Sequence, residues 1–118
     1  MVHPSKSHLL TGKRGEEIAE KYLLDRGYEI LGRNVKTEGG EIDLIARLSD
    51  DIIFVEVKTR AKGDGFNPSM RVDRAKIERL KSAAECWLGE QEEEWGARVD
   101  VIGVCEGKIV EHFEDVTG

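Results

Sequence analysis

Four charged residues stand where a soluble fold normally keeps apolar strands. Glu41 and Asp43 lie in Gly39-Gly40-Glu41-Ile42-Asp43-Leu44-Ile45-Ala46-Arg47, and Glu56 and Lys58 in Ile52-Ile53-Phe54-Val55-Glu56-Val57-Lys58-Thr59-Arg60. Two carboxylates side by side in a half-dry place repel, and one must take a proton unless a cation stands between them. A divalent metal resolves the conflict, because Mg²⁺ accepts one or two carboxylates and a carbonyl, such as that of Val57, while keeping waters for chemistry. Lys58 would then contact a scissile phosphate or orient the attacking water. Asp43, Glu56 and Lys58 form a set suited to phosphodiester hydrolysis. Each part alone is ordinary: a Glu-x-Lys on a strand is usually a solvated ion pair, and an Asp near a hairpin is usually a turn or surface residue.

Both halves are rich in Ile, Val, Leu and Phe, too short for helices, and flank Ser49-Asp50-Asp51, so they read as a hairpin. With Ser49 and Asp50 as the tip, Asp43 falls opposite Glu56 and Glu41 opposite Lys58. Side chains alternate faces with period two. One face then carries Ile42, Leu44, Ala46, Ile53, Val55 and Val57. The other carries Ile45, Ile52 and Phe54, with Glu41, Asp43, Glu56 and Lys58 gathered at the far end. A sheet covered on both faces, polar at one end, fits this pattern.

The combination of Gly-Glu-Ile-Asp-Leu-Ile, a short turn and Phe-Val-Glu-Val-Lys-Thr-Arg resembles the PD-(D/E)xK nuclease superfamily, specifically its small bacterial YraN-like, endonuclease-related family. Asp43, Glu56 and Lys58 take the D, E and K positions, and Ile42 stands where the pattern has proline. Gly12-Lys13-Arg14-Gly15-Glu16 matches a Gly-x-x-Gly-Glu context in which a helical Glu joins the active site. Arg98-Val99-Asp100-Val101-Ile102 looks like the family's late Arg-x-Asp-Val strand, with Asp100 structural or supporting. The resemblance covers Gly12 to about Phe113. It implies a restriction-endonuclease-like core, Mg²⁺ or Mn²⁺ held by Asp43, Glu56, Val57 and Glu16, and Glu41 beside those ligands. Junction resolvases in the superfamily are dimers of similarly small domains, which makes a homodimer and branched DNA the analogous expectation.

The remaining elements must position this set. Residues 1–10 read as a flexible tail and 11–118 as one nuclease-like domain. Ile18, Ala19, Tyr22 and Leu23 recur at helical spacing from about Gly12 to Arg26, with Gly27 as the stop. On that helix Glu17 points away from the apolar stripe while Glu16 lies at its edge, able to reach inward or merely to favour the helix N-terminus. A strand starts at Tyr28. Gly39-Gly40 serves either the turn itself or the approach of a nucleic-acid backbone. Ala61 to Phe66 is a loop expected to be mobile and to touch substrate. Asn67-Pro68 opens a second helix that runs to about Leu88, whose Lys76, Arg79 and Lys81 are a basic face or only solubilising charges. Arg98–Val104 and Lys108–Phe113 form a last hairpin, with His112 a sheet residue. The result is an α/β fold, order α-β-β-β-α-β-β, with a mixed central β-sheet flanked by helices.

The chain has 118 residues and a net charge of -6, which argues at first against nucleic acid. Its distribution weakens that objection: residues 1–82 hold 16 Lys and Arg against 14 Asp and Glu, whereas residues 83–118 hold 2 against 10. With the ligand carboxylates offset by metal, the first part is basic, and Lys36, Arg60, Lys62, Arg71 and Arg74, together with Arg14, are candidate phosphate contacts. Cys86 and Cys105 suit neither a disulfide framework nor a zinc site and read as reduced core residues. No signal peptide or membrane-spanning run is present, so a cytoplasmic protein with no membrane partner is expected. The resulting expectation is a Mg²⁺- or Mn²⁺-dependent endonuclease acting on DNA. A non-catalytic nucleic-acid-binding module of the same fold and a protein-interaction adaptor are the alternatives.

Overall fold

A hairpin apolar on both faces has to be covered twice, and in the computed structural model it is. The structure describes residues 4–60 and 73–117. In chain order these form α1 (Pro4–Asp25), β1 (Glu29–Thr37), β2 (Gly40–Leu48), β3 (Asp51–Arg60), α2 (Arg74–Gly89), β4 (Gly96–Cys105) and β5 (Lys108–Phe113), which is the expected α-β-β-β-α-β-β order. The five strands make one sheet in the order β1-β2-β3-β4-β5. Only β3 and β4 are parallel, because α2 returns the chain across one face between them. The fold is mixed α/β.

One core lies under α1, where Ala19 and Leu23 meet Leu44, Ala46, Ile53, Val55, Ile102 and Val104. The other lies under α2, where Leu80, Ala83 and Ala84 meet Ile42, Ile45, Ile52, Phe54 and Val99. Trp87 packs edge-on to Phe54 with ring centroids 5.7 Å apart. Cys86 and Cys105 are free and half-buried rather than core residues.

The hairpin register near the tip is the expected one: Leu48 opposes Asp51, Leu44 opposes Val55, and Ser49 takes φ 55° in the turn. Beyond Leu44 the expectation needs correction, because β2 and β3 part there. Asp43 and Glu56 are not a ladder pair, and Glu41 lies opposite Lys36 of β1 rather than Lys58. Ile42 also leaves the face of Leu44 and joins the α2 core. β1 passes through Asn34 at φ 49° at this level, and β2, still paired with β1 but no longer with β3, turns with it.

Three local readings change as well. α1 begins at Pro4, so most of the segment expected as a tail is its first part; a proline is compatible with a first helical turn, where its missing N–H has no partner to lose. The opening at Asn67-Pro68 and the loop from Ala61 to Phe66 lie outside the described residues, and α2 starts at Arg74, capped by the Asp73 carboxylate accepting the Ala75 N–H at 3.0 Å. Gly39 needs to be glycine because α2 lies against it: a Cβ there would stand 2.5 Å from the Ser82 carbonyl oxygen. A helix backbone, not a nucleic acid, fills that space.

Candidate active site

The acids lie where the β2–β3 ladder stops. Past Leu44 no β2 backbone faces β3, and the Asp43 side chain takes its place, Oδ2 accepting the Val57 N–H at 2.9 Å. A paired strand residue turns its N–H and C=O to the same edge, so the Val57 carbonyl faces the same gap. Glu56 points toward α2, where its Oε1 is 3.8 Å from Lys76 Nζ. Lys58 shares that side by strand periodicity and joins Glu56, Thr59, Arg60 and Lys76 around an open cavity of about 380 Å³.

Glu16 arrives from the other face, on α1. Gly15 is what lets it: a Cβ at that position would collide with Thr59 Oγ1, so at the end of β3 the α1 backbone packs directly on the Thr59 side chain. Glu16 and Asn34 line a second cavity of about 290 Å³ with Lys13, Glu17, Glu20 and Arg33.

All three carboxyls hold their protons more tightly than ordinary ones. For Asp43 burial is the main cause, partly offset by the Val57 N–H, with Glu41 adding to the rise and Lys76 reducing it. Glu56 is raised by burial and then by Asp43, against Lys76, Lys58 and Arg79. Glu16 is raised by burial and by Asp43, relieved by Asn34, and raised further by Glu41 and Glu56. These are hard oxygen donors with more negative charge than their surroundings balance, which is the donor chemistry that suits Mg²⁺ or Mn²⁺. Among the described residues no three His, Cys, Asp or Glu side chains converge as a ready cage. Mg²⁺ takes one or two carboxylates and completes its shell with water, so Asp43, Glu56 and the Val57 carbonyl fit it, with Glu16 on the α1 side.

The structure thus brings Glu16, Glu41, Asp43, Glu56, Val57 and Lys58 to one end of the sheet. Of the expected phosphate contacts, Arg60 lines the cavity beside Lys58, Lys36 faces Glu41 across β1 and β2, and Arg14 and Arg74 are exposed on their helices. Lys62 and Arg71 lie outside the described residues. Sequence reasoning left Lys76 and Arg79 between a basic face and solubilising charges, tied neither to Glu56, and gave Asn34 no role. Their i, i+3 spacing puts Lys76 and Arg79 on one side of α2, but only the seat of α2 above β3 turns that side toward Glu56. Asn34 carried a signal in its type, since asparagine tolerates positive φ.

Asp100 stands apart from this set, fully buried under α1. Its carboxylate accepts from Arg98 at 2.9 and 3.0 Å and from the Asp115 N–H at 3.0 Å, and it lies 2.8 Å from His112 Nε2. Arg98 also donates to the Tyr28 hydroxyl at 2.8 Å, and the Tyr22 hydroxyl is 2.9 Å from His112 Nδ1. Burial works against the charge, yet the hydrogen bonds from His112, Arg98 and Asp115 hold the carboxyl below its ordinary value. Asp100 is structural, and His112 is a sheet residue as expected.

Comparison with known proteins matches residues 15–104 to the family described as "Uncharacterised protein family UPF0102". A UPF0102 protein of Pseudothermotoga lettingae is 44% identical over 105 residues, spanning 88% of this chain and 95% of its own. One from Kosmotoga olearia is 41% identical over 109 residues, 92% of this chain and 93% of its own. One from Mycobacterium tuberculosis is 45% identical over 97 residues, 79% and 75%. The matched span opens at Gly15, beside Glu16, and takes in Asp43, Glu56 and Lys58. On these matches the chain belongs to the UPF0102, or YraN-like, family.

Proposed function

We propose that this chain is a metal-dependent endonuclease with a restriction-endonuclease-like PD-(D/E)xK core, hydrolysing DNA phosphodiester bonds in the cytoplasm. The observation that carries the reading is the opened ladder: Asp43 is fastened to the Val57 N–H beside Glu56, and Lys58 follows two residues on. A bound Mg²⁺ or Mn²⁺ ion would supply positive charge at the attacked phosphate and make a water more acidic. Asp43, Glu56 and the Val57 carbonyl would hold that ion. The Lys58 ammonium neutralises charge developing on the phosphate and aligns the water. Glu16 completes the acidic wall from α1.

A net charge of -6 leaves few cations to grip plain duplex. DNA whose branching crowds several phosphates toward one small site, or a second protomer that doubles the contact surface, overcomes that shortage. The test is a cleavage screen over single-stranded, duplex, flapped and four-way-junction DNA with Mg²⁺ and Mn²⁺. Metal-dependent cleavage favouring branched or single-strand-containing DNA, abolished by Asp43→Ala or Glu56→Ala, is the expected result. Binding without cleavage of any substrate would replace the nuclease by a non-catalytic module.

A further inference from the structure

Glu56 has a cationic partner that metal binding does not require. Lys76 lies just inside the start of α2, with Nζ 3.8 Å from Glu56 Oε1 and half of its side chain exposed. Its backbone follows on the first turn fixed by the Asp73 cap, whose carboxylate accepts the Ala75 N–H. The ammonium itself is held by charge rather than by a short hydrogen bond, since 3.8 Å is beyond hydrogen-bonding distance, so it can leave Glu56 at little cost. Lys76, Lys58 and Arg60 belong to the lining of one cavity, so two ammonium groups line it, one from α2 and one from β3.

These positions set up a conflict. An ammonium resting on Glu56 and a divalent ion on the same carboxylate repel one another, whereas a phosphate drawn to that ion offers the ammonium a new partner of opposite charge. Building on the nuclease reading above, we infer that Lys76 is a phosphate contact held in reserve: it serves as the counter-ion of Glu56 while no metal is bound, and swings to a substrate phosphate when a divalent ion takes Glu56 over. Lys76 is therefore a substrate-positioning residue that competes with the metal in the resting protein and cooperates with it in the complex.

The two roles predict opposite effects of one substitution. Lys76→Met keeps the aliphatic stem and removes the charge, and Lys81→Met, which loses a lysine paired at 3.9 Å with Glu78 elsewhere on α2, is the control. Mn²⁺ affinity is measured by calorimetry. Binding of a fluorescent four-way junction is measured by anisotropy in Ca²⁺, with Lys76→Met read against Lys81→Met at several salt concentrations. Lys76→Met should bind Mn²⁺ roughly two- to fivefold more tightly, the range an exposed ion pair can account for. It should bind DNA more weakly, with the salt dependence reduced by about one phosphate contact, while Lys81→Met changes neither. Weaker Mn²⁺ binding, or unchanged Mn²⁺ and DNA binding, overturns the inference and leaves the nuclease reading standing. Tighter metal binding with no loss of DNA binding overturns the phosphate role. Wild-type protein that binds neither Mn²⁺ nor DNA overturns the nuclease reading and this inference with it.

Discussion

Asp43→Asn separates a metal ligand from a strand latch, because the two roles predict opposite changes in stability. Asparagine keeps an oxygen that can accept the Val57 N–H, but a neutral acceptor in place of the carboxylate weakens that 2.9 Å bond by about 1 kcal/mol. Against this, removing the charge relieves repulsion with Glu41, Glu56 and Glu16, worth about 1 kcal/mol in partly wet surroundings, and relieves the burial of a carboxylate, worth at least about 1 kcal/mol more. Without metal at neutral pH the variant should therefore be more stable by about 1 kcal/mol, or ~4 °C in melting temperature. Asp43 takes a proton more readily in the folded protein than at its ordinary value of 3.8. Its contribution to stability is thus fully present below that value and is lost as the pH rises through the raised folded value, so the advantage of Asp43→Asn should vanish near the bottom of the carboxyl range. Metal reverses the order. At one hundred times its dissociation constant a bound ion stabilises wild type by about 2.7 kcal/mol, roughly 10 °C, and should do little for the variant. Thermal unfolding in EDTA, Mg²⁺ and Mn²⁺ measures all of this. A variant less stable than wild type in EDTA, with no response of wild type to either metal, would refute the ligand role and leave Asp43 as a latch alone.

Lys58→Ala should keep the metal-induced thermal shift while losing on the order of 100-fold or more in cleavage rate, and Lys58→Arg should recover little of it, because a planar fork does not replace a compact ammonium. Gly15→Ala forces Thr59 or α1 to move and should cost roughly 1–3 kcal/mol in urea unfolding; adding Thr59→Ala should return part of that loss, and full additivity of the two changes would refute the contact. Asp100→Asn should cost about 2–3 kcal/mol at neutral pH, since it weakens the hydrogen bonds to Arg98 and His112. The Asp100 carboxyl is held low, so the stability it contributes is present above its ordinary value of 3.8 and is lost as the pH falls through the lowered folded value. The gap between wild type and Asp100→Asn in urea unfolding should close accordingly in acid.

What could be read from the chain alone depended on whether a residue's surroundings are local. The Ser49-Asp50 tip and its register follow from alternation within twenty residues, because a slip of one position would turn Leu44, Ala46, Ile53 and Val55 away from their core. The β4–β5 hairpin, expected over Arg98–Val104 and Lys108–Phe113, follows in the same way. The parting of β2 from β3 does not: it falls where β2 stays with a third strand, β1, which passes through Asn34 at φ 49°, and with it go the misplaced Ile42 and the Glu41–Lys58 pairing that never forms. Gly39 and Gly15 belong to the same class, since each is glycine because of a partner distant in sequence, Ser82 in one case and Thr59 in the other. Glu16 stood at the edge of an amphipathic stripe, where geometry alone left it between inward and outward roles, and the Gly15–Thr59 contact decides the matter by setting how closely α1 approaches β3. The active-site end is where local rules fail together, and the failures share one cause. A strand pair that ran its full length would bury the Val57 N–H and C=O in its own ladder, whereas a pair that opens at Asp43 gives the N–H to the Asp43 carboxylate and turns the C=O, with the carboxylates, to whatever enters the gap.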